Sequence, residues 1–496
     1  MPADVIFLEP SFPRNQREFV RALHAVGARV TGIGERPKEW LDPELRHWLT
    51  HYEQVGNVTD EAQVERAVRF VQSKVRVDRL EAVVEAHVMC AARVREMCGI
   101  PGTSVRTTFL CRDKPAMKDA LRQAGIPCAQ SIGSGSPDEI RGFAARVGFP
   151  LVIKPRDAAG ASGTARVDNP PELEQAMASF GVGRGRSAAV EEFIEGHEGF
   201  YDTVAIGGRV VQEFITHYYP TVLEAMRTRW ISPQFVTTNR LGAEGYTELK
   251  QMGRKVLAAL GIETSATHME WFAGPKGLKF SEIGCRPPGV GTWDLYCAAN
   301  EFDLYREWAM AVVHGKPSQP PSRRFAAGLI ALRPDRDGVI AGYEGVDDVH
   351  RRFGLLGEDL RRGDALADHV VGIELVFQAD AIEVLAMPER FLAFAVCRAQ
   401  LGIGGEQLLA AGVQPQVHRL PSQVLRKLLV LELALLPSGG DGGDAAGHAQ
   451  LGHRRSQRGI EALRAEENDC GGALRGHRAR TLAVRPTKSS MPRSSS

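Results

Sequence analysis

The stretch that decides the fold of the central part of the chain is HMEWFAGPKGLKFSEI, residues 268–283. Apolar residues lie on both sides of Pro-Lys-Gly at 275–277. This arrangement predicts a β-hairpin whose three-residue loop ends in a glycine with a positive φ. Such a loop pairs Glu270 with Glu282, so that two carboxylates face each other across the hairpin.

The facing carboxylates of Glu270 and Glu282 indicate a bound cation. Like charges directly opposite each other destabilise a sheet unless something compensates them, and Mg²⁺ is a natural compensator. Arg286, four residues after Glu282, adds a guanidinium group that suits phosphate or carboxylate. The alternative is a solvated face on which each glutamate pairs with a lysine or arginine. A one-residue shift in the loop would place the two glutamates on opposite faces.

The composition argues against several classes of protein. The 496 residues are 43% hydrophobic and carry 61 Lys and Arg against 60 Asp and Glu, a formal net charge of +1. This balance argues against a disordered chain and against a basic surface for nucleic acid. The N-terminus lacks the basic-then-apolar order of a signal peptide, and the late apolar run 428–436 is too short to span a bilayer. The eight cysteines show no CxxC spacing, which favours reduced thiols in a soluble, cytoplasmic protein.

The first 105 residues predict a parallel sheet covered by helices. Short apolar strands, VIFLEP, ARVTGIG and EAVVEA, alternate with helical segments such as 16–26. This is a Rossmann-like arrangement, although the GxGxxG fingerprint of a dinucleotide site is absent from the sequence.

Two further units and a tail follow. Residues 106–190 combine amphipathic helices with the buried strand FPLVIKP, and residues 191–350 combine helices with mostly antiparallel strands, including a hairpin at 207–208. From about residue 355 onward Trp and Tyr are absent, and Arg, Ala, Gly, Leu and His dominate. We therefore expect 351–496 to be an atypical, largely disordered tail. It is either a natural low-complexity extension or the product of a shifted reading frame in a GC-rich gene.

Two other motifs suit a nucleotide. Lys154 ends the strand FPLVIKP and precedes a small-residue loop, so that its ammonium group and backbone N–H groups can approach a phosphate. The stretch 190–198 follows a strand, and its backbone near Ile194 suits an adenine while the carboxylate of Glu198 suits a ribose. Each motif also has a simpler interpretation, a flexible surface turn for the first and an acidic strand end for the second.

Taken in order, five motifs resemble those of the ATP-grasp superfamily of carboxylate–amine ligases. They are RDKPAMKDALRQAGIPC, FPLVIKP with its small-residue loop, VEEFIEGHE, HMEWF and SEIGCRPPG. The resemblance covers roughly residues 1–350. It implies an α/β and α+β chain with a Rossmann-like pre-ATP-grasp domain (1–105), followed by the small lobe (106–190) and the large lobe (191–350) of a two-lobed ATP-grasp fold.

The resemblance also implies roles for individual residues. The matched positions are Lys114 and Lys154 for the phosphates, Gly160, Ser162 and Gly163 for the mobile loop over the triphosphate, Glu191 and Ile194 for the adenine, Glu198 for the ribose, Glu270 and Glu282 for magnesium, and Arg286 for the transferring phosphoryl group. Gly284 stands where the family often has Asn, so one oxygen ligand of a second magnesium ion is missing.

The function that the resemblance implies is ligation driven by ATP and Mg²⁺, with Mn²⁺ as an alternative metal. ATP would phosphorylate a small-molecule carboxylate to an acyl phosphate, and an amine or other nucleophile would then displace phosphate. The run EIGCRPPG is closer to ligases of amino-acid-like substrates than to carboxylases. Two alternatives stay open: a carboxylating or formyl-phosphate-using ATP-grasp enzyme, and an ATP-binding regulatory or assembly module without turnover. No nucleic-acid or membrane partner is expected, and a homodimer is allowed.

Overall fold

The computed structural model describes residues 2–156, 163–228, 231–289, 291–331, 357–359 and 374–379. The strands are β1 Asp4–Leu8, β2 Arg29–Gly34, β3 His51–Gln54, β4 Arg79–Glu81, β5 Ser131–Ser134, β6 Leu151–Lys154, β7 Ala165–Val167, β8 Ala188–Glu192, β9 His197–Ile206, β10 Arg209–Tyr219, β11 Gln234–Thr237, β12 Ser265–Gly274, β13 Gly277–Gly284, β14 Ala326–Ala331, β15 Gly357–Asp359 and β16 Glu374–Ala379. The helices are α1 Gln16–Ala25, α2 Pro43–Trp48, α3 Glu61–Gln72, α4 Val88–Cys98, α5 Val105–Leu110, α6 Lys114–Gln123, α7 Pro137–Val147, α8 Pro170–Phe180, α9 Val222–Arg227, α10 Thr247–Leu260, α11 Thr292–Asn300 and α12 Leu304–His314, with 3₁₀ turns at Lys38–Trp40 and Glu244–Tyr246. In this part of the chain, none of the helices has the length and apolarity needed to cross a membrane.

The first sheet is parallel, in the order β3-β2-β1-β4, which agrees with the predicted Rossmann-like arrangement. β1 lies inside this sheet, and its residues 5–8 are all buried because helices cover the sheet. The strand predicted at EAVVEA is wrong in extent, since β4 ends at Glu81. β4 pairs with only three residues of β1, and the chain then turns to begin α4 at Val88.

Two antiparallel sheets follow. The smaller has the order β5-β8-β6-β7 and the larger the order β13-β12-β9-β10-β11-β14-β16-β15. The predicted hairpin at Gly207 and Gly208 is confirmed, because β9 ends and β10 begins on either side of them and both glycines have positive φ, +54° and +76°. Positive φ at both turn residues matches the twist of the flanking strands, which explains the pair of glycines.

The hairpin of β12 and β13 pairs Glu270 with Glu282 as predicted, although the predicted three-residue loop is wrong. The turn is one residue shorter, since Gly274 pairs with Gly277, which has a φ of +79°. That shift alone would place the two glutamates on opposite faces. A β-bulge at Ser281 adds one residue to β13 and brings the glutamates back into register.

The large sheet continues into the segment predicted to be a tail. β16 pairs with all six residues of β14, and β15 pairs with β16. The sheet therefore extends past the predicted boundary at residue 350. The predictions of disorder and of a shifted reading frame for the rest of 351–496 concern residues outside the described part of the chain.

An aromatic cluster connects the first sheet to the large sheet. Phe19 of α1 has its ring centroid 5.0 Å from that of Trp293, 4.9 Å from that of Tyr305 and 5.1 Å from that of Trp308, which lie on α11 and α12. All four side chains are buried. Such rings bury a large apolar area each, so this cluster fixes the leading α/β region against the large sheet.

A chain of polar rings, in which His217 is buried and His197 and Tyr246 are half-buried, begins on β9 and β10 of the large sheet. His197 Nε2 lies 2.8 Å from His217 Nδ1, and His217 Nε2 lies 2.9 Å from the hydroxyl of Tyr246. Burial lowers the pKa of His197 to about 4, and burial together with His197 lowers the pKa of His217 to about 3. Both imidazoles are therefore neutral in the folded protein at neutral pH.

Replacing both histidines with Phe should flatten the acid side of the stability profile. In the unfolded chain the histidines titrate near 6.5, so as the pH falls the unfolded state takes up protons first. The contribution of the neutral histidines to the free energy of unfolding is complete above about pH 6.5. It is lost toward pH 4, by about 1.4 kcal/mol per histidine for each pH unit. We expect the melting temperature of the wild type to fall more steeply over this range than that of the double variant. The control is the exposed His47→Asn, which should follow the wild type; identical slopes for all three proteins would contradict the prediction.

Candidate active site

Lys154 and Glu191 form the buried centre of the site. Lys154 ends β6, and Glu191 lies on β8, its antiparallel neighbour. The Lys154 Nζ lies 3.0 Å from Glu191 Oε2, and both side chains are buried. Burial alone would lower the pKa of Lys154, but Glu191 and then Glu282 raise it above its ordinary value. The lysine is therefore a permanent cation at the end of a buried strand.

Lys114 reaches the same place from another element. It begins α6, where the Asp113 carboxylate caps the helix by accepting a hydrogen bond of 3.0 Å from Ala116 N. Lys114 Nζ lies 3.4 Å and Lys154 Nζ 3.8 Å from the same atom, Glu282 Oε2. Two ammonium groups from the region of the small sheet thus meet one carboxylate of the large sheet.

Glu270 and Glu282 respond differently to this environment. Burial, and then the charge of Glu282, raises the pKa of Glu270 to about 7. Burial also acts to raise the pKa of Glu282, but Lys114 and Lys154 outweigh it and hold that pKa below its ordinary value. Glu282 is therefore ionised at neutral pH, while Glu270 is a second carboxylate whose negative charge still lacks full compensation.

The remaining predicted nucleotide residues lie along β8 and β9. Ile194 is half-buried just after β8. Glu198 is buried on β9, and its Oε2 accepts a hydrogen bond of 2.6 Å from Val222 N. Burial and then the charge of Glu270 raise the pKa of Glu198 to about 8. The carboxyl group of Glu198 therefore interacts electrostatically with Glu270. Of the loop residues, Gly163 is described and has a φ of +70°, whereas Gly160 and Ser162 lie outside the described residues.

Sequence reasoning missed Lys118. This lysine lies one turn after Lys114 on α6, and its Nζ lies 2.5 Å from Glu191 Oε2, the atom that also contacts Lys154. Burial lowers the pKa of Lys118 to about 8 despite the opposing effect of Glu191. Burial acts to raise the pKa of Glu191, but Lys118 and Lys154 outweigh it and hold that pKa at about 2. The i, i+4 spacing of Lys114 and Lys118 was the available signal, because it places both lysines on one face of the helix.

Replacing Lys118 with Met should destabilise the fold. Removing one partner of a buried ion pair leaves an incompletely compensated charge, and we expect a loss of about 3 kcal/mol, the lower end of the usual range, because Lys154 still contacts Glu191. Urea unfolding measures this loss. Lys255→Met, on the exposed side of α10, is the matched control and should change stability by less than about 0.5 kcal/mol. A Lys118→Met protein as stable as the control would show that the buried contact contributes nothing.

Arg286 lies beside a small cavity at the end of β13. The cavity is lined by Glu85, Cys111, Arg112, Lys114, Met117, His268, Glu282, Ile283, Gly284 and Arg286. The Arg286 Nε donates a hydrogen bond of 2.7 Å to Glu85 Oε2, so the leading α/β region contributes a side chain to the site.

His268 is a second residue that sequence reasoning missed. Its Nδ1 lies 2.7 Å from Asp202 Oδ1, and its Nε2 lies 3.8 Å from Glu270 Oε1. Asp202 also accepts a hydrogen bond of 2.6 Å from the hydroxyl of Tyr296. Burial lowers the pKa of His268, but Asp202 more than offsets this and raises it. The two-residue period of a β-strand was the available signal for His268, because it places His268 on the same face of β12 as Glu270.

Comparison with known proteins relates the chain to ATP-dependent enzymes. Residues 119–302 match the ATP-grasp domain family. The L-arginine-specific L-amino acid ligase of Bacillus subtilis is 23% identical over 333 residues, which are 65% of this chain and 79% of that protein. The formate-dependent phosphoribosylglycinamide formyltransferase of Burkholderia pseudomallei (strain 668) is 23% identical over 385 residues, which are 75% of this chain and 91% of that protein.

The fold is also that of solved structures. The L-amino acid ligase of Bacillus licheniformis superimposes with a TM-score of 0.63 at 17% identity, over 79% of this chain and 97% of that one. The chain therefore has the fold of that ligase, and residues 119–302 form an ATP-grasp domain. The predicted family, the predicted fold class and the prediction of an ATP-grasp ligase are confirmed.

Proposed function

We propose that this chain activates a substrate carboxylate with ATP and joins it to an amine. The observation that carries the proposal is the convergence of Lys114 and Lys154 on Glu282, with Glu270 directly opposite. The γ-phosphoryl group passes from ATP to a carboxylate oxygen and forms an acyl phosphate and ADP. The amine nitrogen then attacks the carbonyl carbon, phosphate leaves, and the nitrogen loses a proton.

The residues of the candidate site fit a nucleoside triphosphate. Lys114 and Lys154 supply two cations for its phosphates, which is the main requirement of phosphoryl transfer. Glu191 Oε1 is buried and accepts no hydrogen bond from the described residues, so it can accept one from the exocyclic amino group of an adenine. Ile194 would contact the adenine, Glu198 the ribose, and the loop with Gly160, Ser162 and Gly163 the triphosphate.

The carboxylate pair fits Mg²⁺. In the described part of the chain, no group of three or more Asp, Glu, His or Cys side chains is arranged to hold a metal ion. Glu270 and Glu282 can supply two carboxylate ligands, and Mg²⁺ usually takes its other ligands from phosphate oxygens and water. A bound cation would remove the like-charge repulsion that contributes to the raised pKa of Glu270. Gly284 offers no side-chain oxygen, which favours a single tightly held ion.

Amino acids are the first substrates to test, because L-amino acid ligases are among both the sequence relatives and the structural neighbours. The decisive measurement is ADP release with MgATP across a panel of carboxylates and amines, with product identified by mass spectrometry. Release that needs both co-substrates and yields an amide supports the proposal. Tight nucleotide binding without release across the panel would instead indicate a binding module.

A formyl-transferring reaction is the second candidate. It is favoured by the match to a formate-dependent formyltransferase over 91% of that protein's length. Formate therefore belongs in the panel as one of the carboxylates. ADP release that depends on formate and not on any amino acid would select this candidate.

A further inference from the structure

Two buried cysteine side chains meet beside the candidate site. Cys111 directly follows α5, and Cys285 directly follows β13. Both side chains are buried, and both are free thiols in this structure. The thiol of Cys111 donates a hydrogen bond to the sulfur of Cys285. Two segments that are far apart in the sequence therefore bring a pair of sulfur atoms into contact.

Hydrogen bonds hold the backbone of both cysteines. Cys111 N donates to Thr107 O at 3.0 Å, which fixes the end of α5. The Thr107 hydroxyl donates in turn to Gly261 O at 3.0 Å, so α5 is attached to the end of α10. Cys285 O accepts a hydrogen bond of 3.1 Å from the hydroxyl of Ser265 on β12. The contact between the two thiols is therefore built into the packing of these elements.

The two thiols differ in acidity. Their shared hydrogen bond, together with burial, raises the pKa of Cys111 well above its ordinary value. The same hydrogen bond, against burial and the charge of Glu85, holds the pKa of Cys285 below its ordinary value, and the charge of Arg95 contributes to this. Because the thiolate is the nucleophile in thiol chemistry, Cys285 is the more reactive sulfur of the pair.

Two small cavities reach the pair of cysteines. Cys111 lines a cavity of about 30 Å³, and Cys285 lines another of about 20 Å³. Each cavity has room for a molecule of the size of water. Hydrogen peroxide is uncharged and only slightly larger than water, so it is the oxidant that suits this pair.

We propose that Cys111 and Cys285 are a modification site, a pair of thiols that hydrogen peroxide converts to a reversible disulfide. The Cys285 thiolate attacks a peroxide oxygen and gives a sulfenic acid and a hydroxide ion, which takes up the proton released by the Cys285 thiol. The Cys111 sulfur then attacks the sulfenic sulfur, and its proton leaves with the hydroxyl group as water. Two thiols and one peroxide become one disulfide and two waters, and a dithiol reductant reverses the reaction.

The disulfide switches the candidate active site off, a consequence that rests on the proposed function. Cys111 lies three residues before Lys114. Cys285 lies three residues after Glu282. A disulfide brings its sulfur atoms to about 2 Å, so it draws the start of α6 and the end of β13 together and disturbs the 3.4 Å contact between Lys114 and Glu282. Loss of one charge-assisted contact to the phosphates weakens nucleotide binding about tenfold.

The test treats the full chain with hydrogen peroxide, maps disulfides by mass spectrometry of unreduced peptides, and measures MgADP affinity by calorimetry. We expect a disulfide between Cys111 and Cys285 and about tenfold weaker MgADP binding, both reversed by dithiothreitol. Cys285→Ala should keep the affinity of the reduced wild type after peroxide. Cys111→Ala should stop at a sulfenic acid on Cys285, which dimedone labels. The matched control is Cys98→Ala, which removes a half-buried thiol of α4 and should respond as the wild type does.

Several outcomes would overturn the switch. They are peroxide treatment that leaves both cysteines as thiols, a disulfide between them that does not change MgADP affinity, and an equal loss of affinity in Cys285→Ala. Failure of the proposed function shows separately, as a reduced wild type that binds MgADP but turns over no pair in the panel.

Discussion

Replacing Glu282 with Gln should lower ATP-dependent turnover by about 1,000-fold or more while the protein stays folded. Glu282 lies between the ammonium groups of Lys114 and Lys154, and its depressed pKa keeps it ionised. The amide removes that charge and one of the two proposed magnesium ligands. The fold should survive, because the substitution also removes the charge that repels Glu270.

The measurement is magnesium-dependent ADP release at saturating ATP, combined with a thermal melt of the same sample. Glu263→Gln is the matched control, since it alters an exposed carboxylate just before β12 and should retain full activity. Magnesium-dependent release at the wild-type rate in the Glu282→Gln protein would refute the metal assignment. Loss of the folded state would move the test to Glu270→Gln, which alters the other half of the pair.

Replacing Lys154 with Met should weaken nucleotide binding by about 30- to 1,000-fold, which corresponds to about 2–4 kcal/mol. Methionine keeps a similar length and apolar stem, so the principal change is the loss of a buried cation. The phosphates would lose that cation, and among the described residues Glu191 would keep Lys118 as its one ion-pair partner.

Calorimetric titration of MgADP measures this loss. Lys276→Met is the control. Lys276 lies in the turn between β12 and β13, is 70% exposed and contacts Glu192. Its affinity for MgADP should equal that of the wild type. An unchanged affinity in Lys154→Met would show that the lysine at the end of β6 does not contact the nucleotide.

In the hairpin of β12 and β13, the local sequence pattern predicted the paired glutamates but not the turn and bulge that pair them. Facing glutamates were predictable, but the path to them was not, because the turn is one residue shorter than predicted and the bulge at Ser281 compensates. The signal for the bulge was present as a break in the apolar alternation, from Leu278 and Phe280 to Ile283. A period-2 rule assumes an uninterrupted ladder, so it detects the break without saying how the partner strand accommodates it.

The site itself divides in the same way. The resemblance proposed Lys114, Lys154, Glu191 and Glu282 as individual candidates, since each belongs to a motif a few residues long. That Lys118 shares Glu191 with Lys154 was not, because the contact joins a helix to a separate sheet.

The sequence by itself determined the order of most elements, the resemblance to the ATP-grasp domain and the motifs of the candidate site, because helix and strand periods and turn residues are local properties of the chain. Only the tertiary structure decided which cationic side chains contact the same carboxylate. It placed the ammonium groups of Lys114 and Lys154 within 4 Å of Glu282 and set Glu85 between two arginines. Electrostatic energies change steeply over a few ångströms, and those distances depend on how distant elements pack together.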